Sequence, residues 1–336
     1  MTQKKDPYRF NGLLPVSKPE GMFSKDVSRI LQKKFGKLKL GHVGTLDPMA
    51  SGVLPIVLGK ATRLQDYLLD SEKVYDVEIS FGFQTDSLDI TGEVVKRTNP
   101  ESFPDAAKAV EPVLASFLGQ IYQTPPLFSA VKYKGKPLYA YARENASAEV
   151  PLEALKRSVK IFAVDLLEKR IKSDKLFGLN IRVVCSKGTY IRVLVNDICE
   201  KLQTVGTMKG LRRIKTAGVS LSQCVDIRDI EIDAELLQSN LIGMADMPVN
   251  MCKLTVDQAA EKKLFHGRTV NFTIEQYNGT VVKSRTITPD SVSSSQSKQV
   301  LILNEGQDAI GIGECEKLDD LKRADGELVL RKKRGL

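Results

Sequence analysis

Residues 41–63 read GHVGTLDPMASGVLPIVLGKATR, and this stretch decides how the chain is understood. Asp47 is the one acid in a run from Leu31 to Leu64 that also carries His42, Lys60 and Arg63. Pro48 follows directly and restrains Asp47 to extended backbone, so the acid is expected on a loop rather than inside a helix. Gly41, Gly44, Gly52 and Gly59 punctuate the stretch, and glycines let a bulky ligand approach the main chain. A lone carboxylate on such a loop, in basic surroundings, suits a nucleophile that acts on a polyanion. Taken alone it also fits an Asp that caps a turn or a following helix.

Three further blocks follow: KVYDVEISFGFQTDSLDITGEV at 73–94, QTPPLFSAVKYKGKPLYAYAR at 123–143 and SKGTYIRVLVNDICEKL at 186–202, with GLRR at 210–213 behind them. Together with 41–63, and in this order, they closely resemble the TruB family of tRNA pseudouridine synthases. The resemblance covers about the first 245 residues well and the rest loosely. It implies a pseudouridine synthase fold, with a mixed, largely antiparallel sheet and the active cleft across it.

Bulk properties set limits that agree. A chain of 336 residues, 42% hydrophobic, has room for two domains. Nothing in it approaches the ~18 uninterrupted apolar residues of a membrane span, and MTQKKDPYRF has no apolar core for a signal peptide. Five scattered cysteines without a CxxC pair, and only two histidines, argue against a disulfide framework or a metal site. A cytoplasmic, metal-free protein is expected. The net charge is +9, of which residues 249–336, with 14 basic and 12 acidic side chains, carry +2. The remaining +7 clusters at Lys33, Lys34, Lys37 and Lys39, at Lys132, Lys134 and Lys136, and from Lys201 through Lys209, Arg212 and Arg213 to Lys215. Each cluster alone is a solvated face; beside candidate site residues they form an electrostatic footprint for phosphates.

Hydrophobic periodicity gives the elements. Residues 24–35 read as an amphipathic helix capped by Ser24 and ended by Gly36. Tyr75, Val77, Ile79, Phe81 and Phe83 alternate with polar residues and small Gly82 as a half-buried strand, and 179–185 repeats the pattern. After a turn at 186–188, Thr189 is expected to cap a helix over 190–202. Strands and helices mix without a regular βαβ rhythm, which favours an α+β fold. The segment 123–150, rich in Pro, Tyr and Lys, reads as a solvated loop; the resemblance makes it a thumb-like insertion that grips an RNA stem-loop. A catalytic domain over 1–248 and a small β-rich, PUA-like RNA-binding domain over 249–336 are expected. The latter is read from β-like runs at Thr280–Ile287, Val300–Leu303, Ala309–Gly313 and Leu328–Leu330, with SVSSSQS as a mobile loop. The closing RKKR is either a phosphate contact or a basic tail.

Residue roles come from the resemblance. It makes Asp47 the catalytic nucleophile and Arg192 its guanidinium partner, suited to a two-point contact. It makes Tyr75 the tyrosine that stacks on the target uracil and a candidate general base, and lets His42 fill the space left by extruded bases. Tyr190 and Leu211 correspond to the uridine pocket, and Asp86 and Asp89 are candidates to order the loop around it. Lys60, Arg63, Lys132, Lys134, Lys136, Arg212 and Arg213 are the expected phosphate contacts. No cofactor is needed, since nothing is oxidised and no group is imported. The implied substrate is the uridine at position 55 of the TΨC arm of tRNA, converted by a monomer that needs no protein partner.

A phosphate-binding loop at LGKAT fails, because Gly52 is too far from Gly59 and Ala61 stands where Ser or Thr is needed. A non-catalytic RNA chaperone would have lost Asp47 or Arg192. A guide-dependent enzyme of ribosomal RNA is disfavoured by the thumb-like segment and the short carboxy-terminal region.

Overall fold

The computed structural model describes residues 10–98, 106–144, 149–172, 175–232, 235–273, 298–316 and 327–336. Among these, one large sheet holds seven long strands: β1 (Gly12–Lys18), β2 (Ser51–Leu58), β3 (Lys73–Phe81), β4 (Gly119–Gln123), β5 (Arg157–Lys172), β6 (Lys175–Cys185) and β7 (Gly206–Thr216). Their order is β1-β2-β7-β3-β6-β5-β4. β2 and β7 run parallel, and every other long pair is antiparallel. The expected α+β class and mixed, largely antiparallel sheet are what forms.

The alternation in β3 sorts its two faces. Tyr75, Val77 and Ile79 are buried with Leu179, Ile181 and Val183 of β6, and Leu194, Val195 and Ile198 cover them. Each such side chain removed from water contributes roughly 1.5–3 kcal/mol. The helices include α1 (Ser24–Phe35), α2 (Ala106–Ala115), α3 (Leu138–Arg143) and α4 (Ile191–Lys201). On the other face Asp76 meets Arg182 at 2.7 Å, and Glu78 pairs with Arg170 and Lys209. One apolar and one charged face is the ordinary pattern of an antiparallel sheet.

Three local expectations change. β3 ends at Phe81, because Gly82 turns the chain at φ 96°; Phe83–Thr85 then pairs with Val94–Arg97 as a separate hairpin. Ser24 is the first residue of α1 rather than its cap; Phe23 stands at the cap, and Gly36 closes the helix as expected. Thr189 does not cap α4: its hydroxyl donates to the Ser186 carbonyl, and Tyr190 occupies the cap.

The 123–150 segment is more structured than its composition suggests. Lys132–Tyr133 pairs with Lys136–Pro137, α3 follows, and Leu138, Tyr141 and Val150 make a small core of their own. In the carboxy-terminal region β8 (Cys252–Thr255), β9 (Val270–Thr273), β10 (Lys298–Leu303), β11 (Ala309–Glu316) and β12 (Glu327–Gly335) form a second sheet ordered β8-β10-β11-β12-β9, with α5 (Gln258–Phe265) after β8. This strand-rich unit is consistent with a PUA-like domain. Val300–Leu303, Ala309–Gly313 and Leu328–Leu330 fall within its strands, whereas Thr280–Ile287 and the Ser-rich stretch lie outside the described residues. One apolar cluster joins the two sheets: Val53, Val57, Leu64 and Leu68 on one side, Leu301, Leu303 and Ile312 on the other.

Candidate active site

Asp47 sits on the loop between Leu40–His42 and β2, non-helical as Pro48 requires. Its carboxylate Oδ2 lies 3.0 Å from Nη2 of Arg192, in the first turn of α4. The two partners differ in access: the Asp47 side chain is 39% exposed and Arg192 only 6%. The acid is thus open to a ligand while its counter-charge is shielded from solvent.

Arg192 uses its fork on three segments at once. Nη2 also donates to the Phe128 carbonyl at 2.9 Å, in the 123–150 segment. Nη1 donates to the Ser87 carbonyl at 2.9 Å and lies 3.6 Å from Asp89 Oδ2. Asp89 is itself buried, and its Oδ1 accepts from the Ser87 hydroxyl and the Thr91 N–H. Asp86 accepts from the Glu93 N–H. Both acids therefore tie the 85–93 loop together, and Asp89 in addition faces Arg192. A buried guanidinium needs this many partners, because an unpaired one costs several kcal/mol or more.

The loop carrying Asp47 is fixed from behind by residues that were not among the expected site residues. The Ser24 hydroxyl accepts from the Leu46 N–H at 3.0 Å and donates to the Leu46 carbonyl at 2.9 Å. Lys18, fully buried at the end of β1, donates to the carbonyls of Met22 (2.7 Å), Pro19 (2.9 Å) and Pro48 (3.3 Å). Burial pulls its ammonium down to about 8, against the opposing pull of Asp47. Gln123 holds Tyr190 through both main-chain groups, accepting from its N–H at 2.9 Å and donating to its carbonyl at 3.2 Å. A lysine closing an apolar strand and a serine after a proline–glycine turn have no pattern that distinguishes them from surface residues.

Arg213 is a correction. Expected on phosphate, it is 1% exposed, with Nε donating to the Val53 carbonyl at 2.7 Å and Nη2 to the Gly44 carbonyl at 2.8 Å. It braces the Asp47 loop, and its charge acts on the Tyr75 phenol beside it. The close approach of β2 and β7 needs glycine at 52, where an added Cβ would sit 2.2 Å from the Arg213 carbonyl oxygen. Arg212, one residue earlier in the strand, points to the opposite face from Leu211 and Arg213, opposite Asp76 in β3. It is exposed on the charged side of the sheet, away from Tyr75. Arg63 donates to the Gly335 carbonyl at 2.6 Å and so fastens β12 to the turn that follows β2.

The other expected residues divide as follows. Tyr75 is buried, and burial raises its phenol above the usual value, so it stays protonated. That disfavours its use as a general base. His42 is lowered by burial and by Arg213 and Lys25, which keeps the imidazole neutral, and its Nε2 meets the Thr45 hydroxyl at 3.0 Å. Tyr190 is half-buried under the Arg157 guanidinium, 4.6 Å from the ring centroid, and Leu211 is half-buried opposite Val77. Lys60 and Lys132 are exposed. Lys134 lies over the Tyr133 ring, whereas Lys136 is engaged by Glu144 and the Tyr141 ring and is the least available of the three. Among the described residues no group of three or more His, Cys, Asp or Glu is placed to hold a metal ion, and no helix is long and apolar enough to cross a membrane.

Comparison with known proteins places this architecture. The fold is that of the pseudouridine synthases: a Cbf5–Nop10–Gar1 complex structure aligns over 96% of this chain and 84% of the matched one with a TM-score of 0.66. At 23% identity that likeness concerns the fold alone. Residues 29–191 match the family model described as TruB family pseudouridylate synthase (N terminal domain). The tRNA pseudouridine synthase B of Caldanaerobacter subterraneus is 36% identical over 271 residues, 81% of this chain and 90% of that protein. The protein of the same name from Alkaliphilus oremlandii is 40% identical over 261 residues, 77% and 83% of the two chains. The chain belongs to the TruB family.

Proposed function

We propose that this protein is a tRNA pseudouridine synthase that isomerises the uridine at position 55 of the TΨC loop. The observation that carries the reading is the 3.0 Å contact between half-open Asp47 and buried Arg192. In the reaction the bond from ribose C1′ to uracil N1 breaks, the detached base rotates, and C1′ rejoins it through C5, whose proton is lost while N1 gains one. Asp47 is the nucleophile, and Arg192 keeps its carboxylate ionised once a base excludes water from it. Tyr75 packs against the target uracil as a neutral phenol, and Tyr190 and Leu211 line its pocket. His42, as a neutral ring, occupies space vacated by extruded bases.

Extruding a base costs a few kcal/mol of stacking, which phosphate contacts and aromatic packing offset. Lys60, Lys132 and Lys134, all exposed, contact phosphates of the RNA. The 123–150 insertion grips the stem-loop, and the second sheet adds RNA surface as a PUA-like domain over 249–336. Catalysis by a monomer in the cytoplasm completes the reading. Incubating the protein with unmodified tRNA and mapping pseudouridine by chemical derivatisation tests it; a single new pseudouridine in the TΨC loop is expected. Modification at other sites only would refute the substrate assignment.

A further inference from the structure

Phe23 occupies the cap position of α1, where Ser, Thr, Asp or Asn would accept a hydrogen bond from the first turn. A phenyl ring cannot do so, and the helix has no side-chain cap bond there. Only the reverse half of a capping box survives, the Phe23 N–H donating to Asp26 Oδ2 at 3.2 Å. The ring is 60% exposed, although Met22 beside it packs against the core. A large aromatic that neither caps its helix nor enters the core is available to something outside the chain.

Its position is fixed relative to Asp47 by three independent ties. Ser24, the next residue, holds both main-chain groups of Leu46. The Gly21 N–H donates to the Pro48 carbonyl at 2.8 Å. Lys18 bridges the Met22 and Pro48 carbonyls. The 21–24 and 46–48 segments therefore move as one body, with Phe23 on its surface. The local charge favours a polyanion: Lys25 is exposed and close enough to depress the His42 imidazole, and the Asp26 carboxylate is taken up by Arg29 at 2.8 Å. Glu20 is the remaining acid on this turn.

We propose that Phe23 is a stacking platform for an unstacked nucleobase of the substrate RNA loop, with Lys25 contacting the adjoining phosphate. This rests on the function proposed above and adds a subsite to it. Every base offers a π-face, so an exposed ring beside a cation binds a splayed-out base without reading its identity. The nucleotide bound there neighbours the target uridine, because Phe23 is tied to the Asp47 loop itself.

The chain contains no tryptophan, so Phe23→Trp introduces a single fluorophore at the site. In an Asp47→Asn background, which prevents turnover, titration with an unmodified tRNA stem-loop is expected to quench its emission saturably. Phe23→Ala is expected to weaken stem-loop binding roughly five- to 150-fold, the range for losing one base–aromatic stack. Phe23→Ser separates binding from folding, since it supplies the missing cap. Its unfolding midpoint is expected to rise by about a few degrees while its affinity falls as in Phe23→Ala. Wild-type protein in the same assay tests the parent reading, by forming pseudouridine on tRNA. With wild type active, unchanged affinity in Phe23→Ala together with unmoved emission from Phe23→Trp would overturn the subsite.

Discussion

Replacing Arg192 by Lys keeps the charge and removes the fork. One ammonium cannot reach Asp47, the Ser87 carbonyl and the Phe128 carbonyl in the planar geometry that the guanidinium uses. Arg192→Lys is therefore expected to lose at least about a hundredfold in single-turnover rate, some 2.7 kcal/mol of transition-state stabilisation. Near wild-type rates would mean that the pair is dispensable. The two neighbouring arginines of β7 should separate cleanly. Arg213→Ala removes a buried guanidinium from two carbonyls and is expected to destabilise the fold by about 3 kcal/mol or more. Arg212→Ala is expected to leave stability within about 0.5 kcal/mol of wild type. Thermal unfolding of both variants checks the assignment. At this scale the sequence distinguished poorly between them: two adjacent arginines in a basic run both read as phosphate contacts.

Among the elements, α4 carries Arg192 at one end and a misplaced acid further along. Burial, and then Glu200, raise the Asp197 carboxyl to about 6. Its folded value lies above the unfolded one, so the folded state binds more protons between pH ~3.9 and about 6, and ionisation costs stability above that window. Asp197→Asn is accordingly expected to stabilise at pH 7 by roughly 1–2 kcal/mol, after allowance for partial exposure. The gain should vanish near pH ~4; a gain that does not depend on pH would contradict the ionisation argument. Ser24→Ala should strand the buried Leu46 N–H and carbonyl, at roughly 1–3 kcal/mol of stability, and loosen the Asp47 loop. Helix α1 and strands β3 and β6 were legible because their apolar residues keep a strict period. The caps were not, since Ser24 and Thr189 spend their hydroxyls on partners that only the tertiary structure brings near.

At the scale of the whole molecule, the resemblance supplied what periodicity could not, namely a mixed, largely antiparallel sheet and the meeting of Asp47 with a residue 145 positions later. It said little about how the second sheet sits. The apolar cluster shared by Val53, Val57, Leu68, Leu301 and Ile312, with Arg63 fastened to Gly335, makes that sheet a cover for the catalytic unit. A fragment ending at residue 249 would expose this face to water. It is expected to aggregate or to unfold well below the full chain; a soluble fragment of unchanged midpoint would show the contact to be unimportant. The proposed RNA grip of the 123–150 segment is testable by salt. Lys132→Ala, Lys134→Ala and Lys136→Ala combined should lower the slope of log affinity against log salt by about one to two units. Three full contacts would lower it by more, but Lys136 is held by Glu144. An unchanged slope would remove the segment from the RNA interface.

The claim on which the rest depends is that Asp47 performs the chemistry. Asp47→Asn keeps size and loop geometry and removes the nucleophilic charge. Mapped on unmodified tRNA at saturating enzyme, it is expected to form no pseudouridine in the TΨC loop while binding that tRNA within about tenfold of wild type, because phosphate contacts dominate affinity. Pseudouridine formed by this variant at a rate comparable to wild type would contradict the account.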